Sequence, residues 1–449
     1  MSYATLRRLG ANGEVNKLLP ADQAVHGWYR FVLSFPPHLV RDYLQRFGIG
    51  ANEQVLYPFC GTGTTLVECR KTGVTCVGVE AHPLAYFAST VKLDWSPDSE
   101  GLVKHASRVA ERASAILASQ GIEDLPLFHR ATTEHPGLRR LSEEAEKLLL
   151  RNSISPLPLH KVLVLLEALD SCRDDRYHRH ELLALAKALS TTIGNLHFGP
   201  EVGVGEIKPD APVISLWLGE VRNIGNDLRG LSRGSTLAIV YNDDARELNK
   251  SLEPGSISAV ITSPPYPNEK DYTRTMRLES VILGFIRSKA DLQTLKRTLV
   301  RSNTRGVYKG DDDDLWVAGS AEIQAIAEQI EARRVELKKT SGFEKHYATV
   351  TKLYFGGMAK HLANLRPLLR PGAQLAYVVG DQASYLRVMI RTGDLLCRIA
   401  QSLGYEVTGT DLFRTRLATA TGEQLREEVV RLRWPGTCSR TLKLAQENP

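Results

Sequence analysis

Four short stretches carry residue types that can bind and position a small molecule. In Y-P-F-C-G-T-G-T-T-L (57–66), Gly61 and Gly63 fall in a turn between an apolar run and a helix start. Missing β-carbons there let the backbone approach a ligand closely and bend through dihedrals that other residues avoid. The stretch V-T-C-V-G-V-E (74–80) ends on Glu80, where a carboxylate can accept both ribose hydroxyls of a nucleoside. Y-N-D-D (241–244) offers Asp243 and Asp244, either as acceptors for an adenine amino group or as caps of the helix A-R-E-L-N-K-S-L. No third glycine completes a dinucleotide fingerprint and threonines fill the turn, which favours an adenosine without a pyrophosphate. Finally, T-S-P-P-Y (262–266) follows S-I-S-A-V-I and sets a hydroxyl, a rigid diproline and an aromatic ring at one strand tip.

These groups need elements to hold them. Apolar runs at 53–59, 74–80, 236–244, 258–263 and 374–381 read as strands alternating with helices. That alternation predicts an α/β fold, a doubly wound, mostly parallel sheet covered on both faces. Between 96 and 234 the rhythm changes. Leucines at three- and four-residue spacing predict helices over 101–120, 138–151, 158–173 and 178–197, and glycines and prolines predict a loop over 199–212. The chain thus divides into a cofactor-binding half (1–95), a helical insertion (96–234) and a catalytic half (235–449).

Composition bounds the function. The 449 residues are 43% hydrophobic and 24% charged, as expected of one large elaborated domain or two. No apolar run reaches about 18 residues and no apolar leader is recognisable, so membrane insertion and secretion are not expected and a cytoplasmic location is. Six scattered cysteines without C-x-x-C pairs argue against structural zinc or disulfides. A formal charge of +6 suits a polyanionic partner without requiring one.

Together the motifs resemble those of the DNA amino-methyltransferases, which use S-adenosylmethionine to methylate N4 of cytosine or N6 of adenine. The resemblance covers roughly 26–95 and 236–410. The family's F-x-G-x-G turn matches Phe59, Gly61 and Gly63, with Pro58, Cys60 and Thr64 beside them; its ribose-binding acid matches Glu80. Its D/N/S-P-P-Y tetrad matches Ser263, Pro264, Pro265 and Tyr266. The upstream stretch H-G-W-Y-R-F-V-L-S-F-P-P-H-L-V looks like its further cofactor segment, centred on Phe35 and Pro36. With Asp243 or Asp244 as the adenine acceptor, these residues are the expected cofactor site for S-adenosylmethionine.

The resemblance implies the chemistry of the tetrad. An exocyclic amine is a poor nucleophile because its lone pair is delocalised into the ring, so a site must hold its hydrogens with acceptors. The Ser263 hydroxyl and the Pro264 carbonyl supply two. Tyr266 can stack on a base taken out of the duplex, an interaction worth roughly 1–3 kcal/mol. Serine at the first position leans, within the family, toward N4 of cytosine; adenine N6, an RNA base, or a non-catalytic nucleic-acid-binding protein on the same fold are the alternatives. Double-stranded DNA is the expected partner, together with a restriction or defence partner, and Lys270, Arg274 and Arg277 are candidates for its phosphates. Asp311 to Asp314 reads as a solvated loop rather than a metal site, since the chemistry calls for no metal. Asp381 either lines the base pocket or begins a turn. The cofactor half precedes the tetrad, so the arrangement resembles permuted classes with target recognition inserted inside the catalytic domain; 96–234 and a segment near 300–345 are candidates for that role.

Overall fold

The computed structural model describes residues 18–30, 34–124, 137–199, 201–232, 234, 236–248, 252–417 and 422–436. Cys438 and residues 31–33 of the upstream segment lie outside them. Seven strands form one sheet: β1 (Gln54–Tyr57), β2 (Thr75–Val79), β3 (Ala238–Tyr241), β4 (Ile257–Thr262), β5 (Leu369–Gly380), β6 (Glu406–Leu417) and β7 (Gln424–Arg433). Their spatial order is β3-β2-β1-β4-β5-β7-β6. The first five run parallel, and β7 pairs antiparallel with both β5 and β6. This is the mostly parallel, doubly wound sheet that the strand pattern leads one to expect. The antiparallel pair β6 and β7 has no counterpart among the strands read from the sequence.

The longer helices are α1 (Pro37–Arg46), α2 (Thr64–Thr72), α3 (Pro83–Lys92), α4 (Ser99–Ser119), α5 (Pro156–Ser171), α6 (His178–Ala188), α7 (Val213–Gly230), α8 (Ala321–Glu336), α9 (Tyr347–Leu365) and α10 (Thr392–Ser402). Strand side chains alternate between two apolar layers, as the pleat requires. Leu56, Val77, Val260, Leu375 and Tyr377 face α8, α9 and α10, where Ile323, Phe355 and Leu395 meet them. Val55, Tyr57, Cys76, Ala259 and Ala376 face the opposite layer, with Leu39 of α1 and Leu66 of α2. That second layer continues without a break into Leu102, Leu165, Leu185 and Trp217 of α4 to α7. Each fully buried aliphatic side chain contributes about 1.5–3 kcal/mol. Gly225 lets α7 lie close on α4, since a β-carbon there would sit 2.8 Å from Val103 Cγ2.

Within 96–234 several boundaries differ from expectation. The helix expected over 178–197 ends at Ala188 and passes into a wide turn, Leu189–Ile193. Ser190 and Thr191 hydroxyls donate to the Lys187 carbonyl and Thr192 to that of Ala188, which competes with the regular ladder. Helix over 138–151 is confined to Glu143–Leu148. The expected loop over 199–212 instead contributes a strand, Val202–Val204, that pairs antiparallel with Leu196–Phe198 as a separate hairpin. Among the described residues no helix is long and apolar enough to cross a membrane.

Candidate active site

The sheet reverses direction of winding between β1 and β4, and ligands of open α/β sheets lie in the crevice that opens beyond the strand ends at such a point. Val55 pairs with Ala259 and Leu56 with Val260, so the glycine turn after β1 and the tetrad after β4 emerge side by side. Thr65, in the first turn of α2, donates its hydroxyl to the Ile261 carbonyl at 3.1 Å and ties the two tips together.

Gly61 and Gly63 adopt φ of +52° and +84°, a region that costs other residues roughly 1–2 kcal/mol. They are constrained for different reasons. A β-carbon on Gly63 would lie 3.1 Å from Ser89 Cβ on α3, whereas one on Gly61 would meet nothing within 4 Å and would project into the space it lines. The buried Lys92 ammonium braces the turn from behind, donating to the carbonyls of Thr62 at 2.8 Å and Tyr29 at 3.2 Å. Burial pushes its pKa down to about 7.

Glu80 stands at the tip of β2. Its Oε2 accepts from the Gly61 N–H at 2.6 Å and its Oε1 from the His82 N–H at 2.7 Å, so the carboxylate is fixed while each oxygen keeps a lone pair. Burial pushes its pKa up to about 7, against the pull of those backbone donors. At the tip of β3, Asp244 is held by the Arg246 guanidinium at 2.7 Å, and Arg246 also pairs with Asp313 and donates to the Arg297 carbonyl. Asp243 accepts from the Asp244 N–H.

The tetrad completes the crevice. Ser263 donates its hydroxyl proton to the Val378 carbonyl on β5 at 3.1 Å, which leaves its lone pairs as acceptors. The Tyr266 N–H donates to the Tyr272 hydroxyl at 3.2 Å. The Tyr266 ring lies against Gly380, where a β-carbon would be 3.0 Å from Cε2. Burial, reinforced by Glu427, raises the Tyr266 pKa, so the ring stays neutral.

One cavity of about 300 Å³ is lined by Phe35, Pro58, Phe59, Gly61, Glu80, Asp244 and all four tetrad residues. That volume is within the range of small-ligand pockets. Cys60, Gly63, Thr64 and Asp243 are not among its lining residues; Cys60 and Thr64 are buried and shape the turn from inside. Lys270 lines the cavity itself, and its ammonium has no hydrogen-bond or ion-pair partner among the described residues. Burial lowers its pKa, aided by Arg416. Arg277 donates to the Thr273 carbonyl and hydroxyl and to the Leu148 carbonyl, which engages three of its five donors. Asp381 is buried, accepts from Arg391 and Arg426, and is not among the residues lining the cavity. The acidic run is likewise engaged, Asp311 with Arg301 and Asp313 with Arg246.

Some lining residues were not legible in the sequence. His82 is 2% exposed, lines the cavity, and has no hydrogen-bond partner for either ring nitrogen among the described residues. Burial first, and Arg277 second, push its pKa down to about 3, so it presents a neutral imidazole. Its only local signal is the proline after it, which starts α3. Arg414 and Glu427 come from β6 and β7 and form a two-bond pair at 2.5 and 2.8 Å on the cavity wall.

The orphaned imidazole of His82, the open position above Gly61 and the two free lone pairs of Glu80 fit a polar, diol-bearing ligand such as an adenosyl group.

No family model matches the chain. It is 23% identical over 406 residues to the Type II methyltransferase M.BsoBI of Geobacillus stearothermophilus, an alignment spanning 86% of this chain and 79% of that protein. It is 22% identical over 430 residues to the Type II methyltransferase M.AvaI of Anabaena variabilis, spanning 90% and 83%. A shorter match, 37% over 70 residues, covers 15% of the chain and 13% of the Type II methyltransferase M.MjaII of Methanocaldococcus jannaschii. Along most of its length, then, this chain is similar to Type II methyltransferases, and its sheet is that of a Rossmann-like methyltransferase.

Proposed function

We propose that the protein is a DNA methyltransferase that transfers a methyl group from S-adenosylmethionine to the exocyclic amine of a flipped base, N4 of cytosine in our reading. The observation that carries this is the opening of the glycine turn, Glu80 and the S-P-P-Y tetrad into one cavity at the switch point of the sheet. S-adenosylmethionine is the methyl donor, supplying an electrophilic methyl on a sulfonium. Glu80 would hold the ribose diol, Phe35 and Phe59 would cover apolar surface, and His82 would offer one donor and one acceptor.

On the substrate side Ser263 and the Pro264 carbonyl accept the amino hydrogens and turn the nitrogen lone pair toward the donor, while Tyr266 stacks on the ring. Two features favour cytosine over adenine. Ser263 is neutral, and its hydroxyl hydrogen is already engaged by the Val378 carbonyl, so it faces the amine as an acceptor. Lys270 is an unpaired cation inside the cavity, suited to the adjacent N3 and O2 acceptors of cytosine. Duplex DNA is the partner in this reading, with the helices of 96–234 and the segment near 300–345 around the duplex, and a restriction or defence partner in the cell. Incubation with labelled cofactor and either DNA or RNA, followed by mass spectrometry of nucleosides, tests polymer and base together. N4-methylcytosine in DNA is expected, and Ser263→Ala and Tyr266→Ala should abolish it while cofactor binding persists. Label in RNA alone, or full transfer by both variants, would overturn the assignment.

A further inference from the structure

At the rim of the cavity, two guanidiniums from different segments converge on one carboxylate. Arg274 belongs to the short helix Tyr272–Thr275 and Arg305 to the turn Thr304–Gly306. Glu201, in the hairpin of the helical insertion, lies 3.6 Å from Arg274 Nη1 and 3.7 Å from Arg305 Nη1, close enough for charge attraction and too far for a hydrogen bond. Arg274 Nε and Arg305 Nη1 are shielded from water and have no acceptor among the described residues. Shielded donors left unpaired are rare in folded proteins and ask for a partner.

The spacing of the two arginines is fixed. Glu269 accepts from the N–H and the hydroxyl of Thr304, and Asn303 donates to the Lys270 carbonyl, which clamps 269–274 to 301–306. Both clamped segments also line the cavity, through Lys270, Tyr272, Asn303 and Gly306. A base drawn into the cavity leaves its own phosphodiester at this rim. Two non-bridging oxygens matched to two guanidiniums are the geometry that arginine serves best.

Resting on the reading of this cavity as a base pocket, we propose that Arg274 and Arg305 form the binding site for the phosphodiester next to the target base, and that Glu201 is a resident stand-in for it. The Glu201 side chain is 48% exposed and free to swing out when a phosphate arrives. The insertion therefore competes with DNA for the same pair of cations until the duplex displaces it.

The test is fluorescence anisotropy of a short labelled duplex over a salt titration, with full-length protein and its Glu201→Gln, Arg274→Gln and Arg305→Gln variants. Glu201→Gln should tighten binding by about threefold at low salt, the scale of one exposed ion pair. Each arginine variant should weaken binding and reduce the log–log salt slope by about one. In the Glu201→Gln/Arg274→Gln/Arg305→Gln triple variant the gain from Glu201→Gln should vanish. Cofactor binding, read by calorimetry, should be unchanged throughout and serves as the folding control. Unchanged affinity of Glu201→Gln, or an unchanged slope in both arginine variants, overturns the phosphate site even where the wild type methylates DNA. Absence of methyl transfer by the wild type with the Glu201 effect intact overturns the enzymatic reading and supports the anion site.

Discussion

Replacing Gly380 by alanine would put a methyl group 3.0 Å from Tyr266 Cε2, 3.4 Å from Cδ2 and 3.3 Å from Glu427 Cγ. Ordinary carbon contacts begin near 3.5 Å, so the Tyr266 ring must shift by several tenths of an ångström. Gly380 is not among the glycines with positive φ, so backbone strain does not enter and the perturbation is steric alone. Restricting the unfolded chain would by itself stabilise the fold by about 0.4–1 kcal/mol, which offsets part of the clash, and a melting temperature within a few degrees of wild type is expected. Catalysis is more sensitive. A misplacement of about 1 Å costs on the order of 100-fold, so a shift of a few tenths should lower single-turnover methyl transfer by about tenfold. Cofactor affinity should not change, because the Gly61 and Glu80 side of the cavity is untouched. Gly380→Val should lower transfer further in the same order. Full single-turnover rates for both variants would refute the role of the Tyr266 ring as the platform for the base; loss of cofactor binding would refute the division of the cavity into two halves.

Gly61→Ala should raise the dissociation constant for S-adenosylmethionine at least about tenfold, because its methyl group enters the cavity and φ of +52° adds strain of roughly 1–2 kcal/mol; calorimetry reads it. The folded pKa of Glu80, pushed up to about 7, lies above its ordinary value of 4.5, so the folded state binds the extra proton between those values. Its contribution to stability is therefore lost as pH rises from about 4.5 to about 7 and is flat above, and the pH dependence of urea midpoints should be shallower in Glu80→Gln. Cofactor affinity should move the other way, strengthening as pH rises through about 7 in the wild type, since the ionised carboxylate is the better acceptor for a diol, and staying flat in Glu80→Gln. Arg246→Met leaves Asp244 and Asp313 without their shared cation. Breaking a buried pair costs about 3–5 kcal/mol, measurable by urea denaturation.

The parallel part of the sheet was legible because its strands are buried on both faces and read as unbroken apolar runs ending in turn chemistry, as in S-A-V-I-T-S-P-P. The antiparallel strands β6 and β7 were not, since E-V-T-G-T-D-L-F-R-T-R-L is half solvent-exposed and its pairing with 424–433 depends on contacts between segments without a periodic apolar pattern. Helix α7 buries its apolar residues at 213, 214, 217, 221, 224 and 228, a helical spacing that Gly219 and Gly225 interrupt in composition without breaking the backbone. Of the site, the strand-tip residues were readable because local spacing fixes where they fall. The charge of Arg277 says nothing about direction, and only the fold shows that three of its five donors face Thr273 and Leu148. Asp244 carries a load that no local pattern could announce, as its partner Arg246 is shared with Asp313, far away in sequence.

The apolar layer that runs unbroken from β1 and β4 into α4 to α7 has a consequence for how such a protein can diversify. A segment that shares its core with the layer covering the sheet cannot be exchanged as a cassette, because removing it would uncover apolar side chains of that layer, as where α6 packs on α3. Under the proposed function, with the insertion beside the duplex, new target preferences would accumulate residue by residue on its outer edge, at the hairpin bearing Glu201, while the helices beneath stay committed to the shared core.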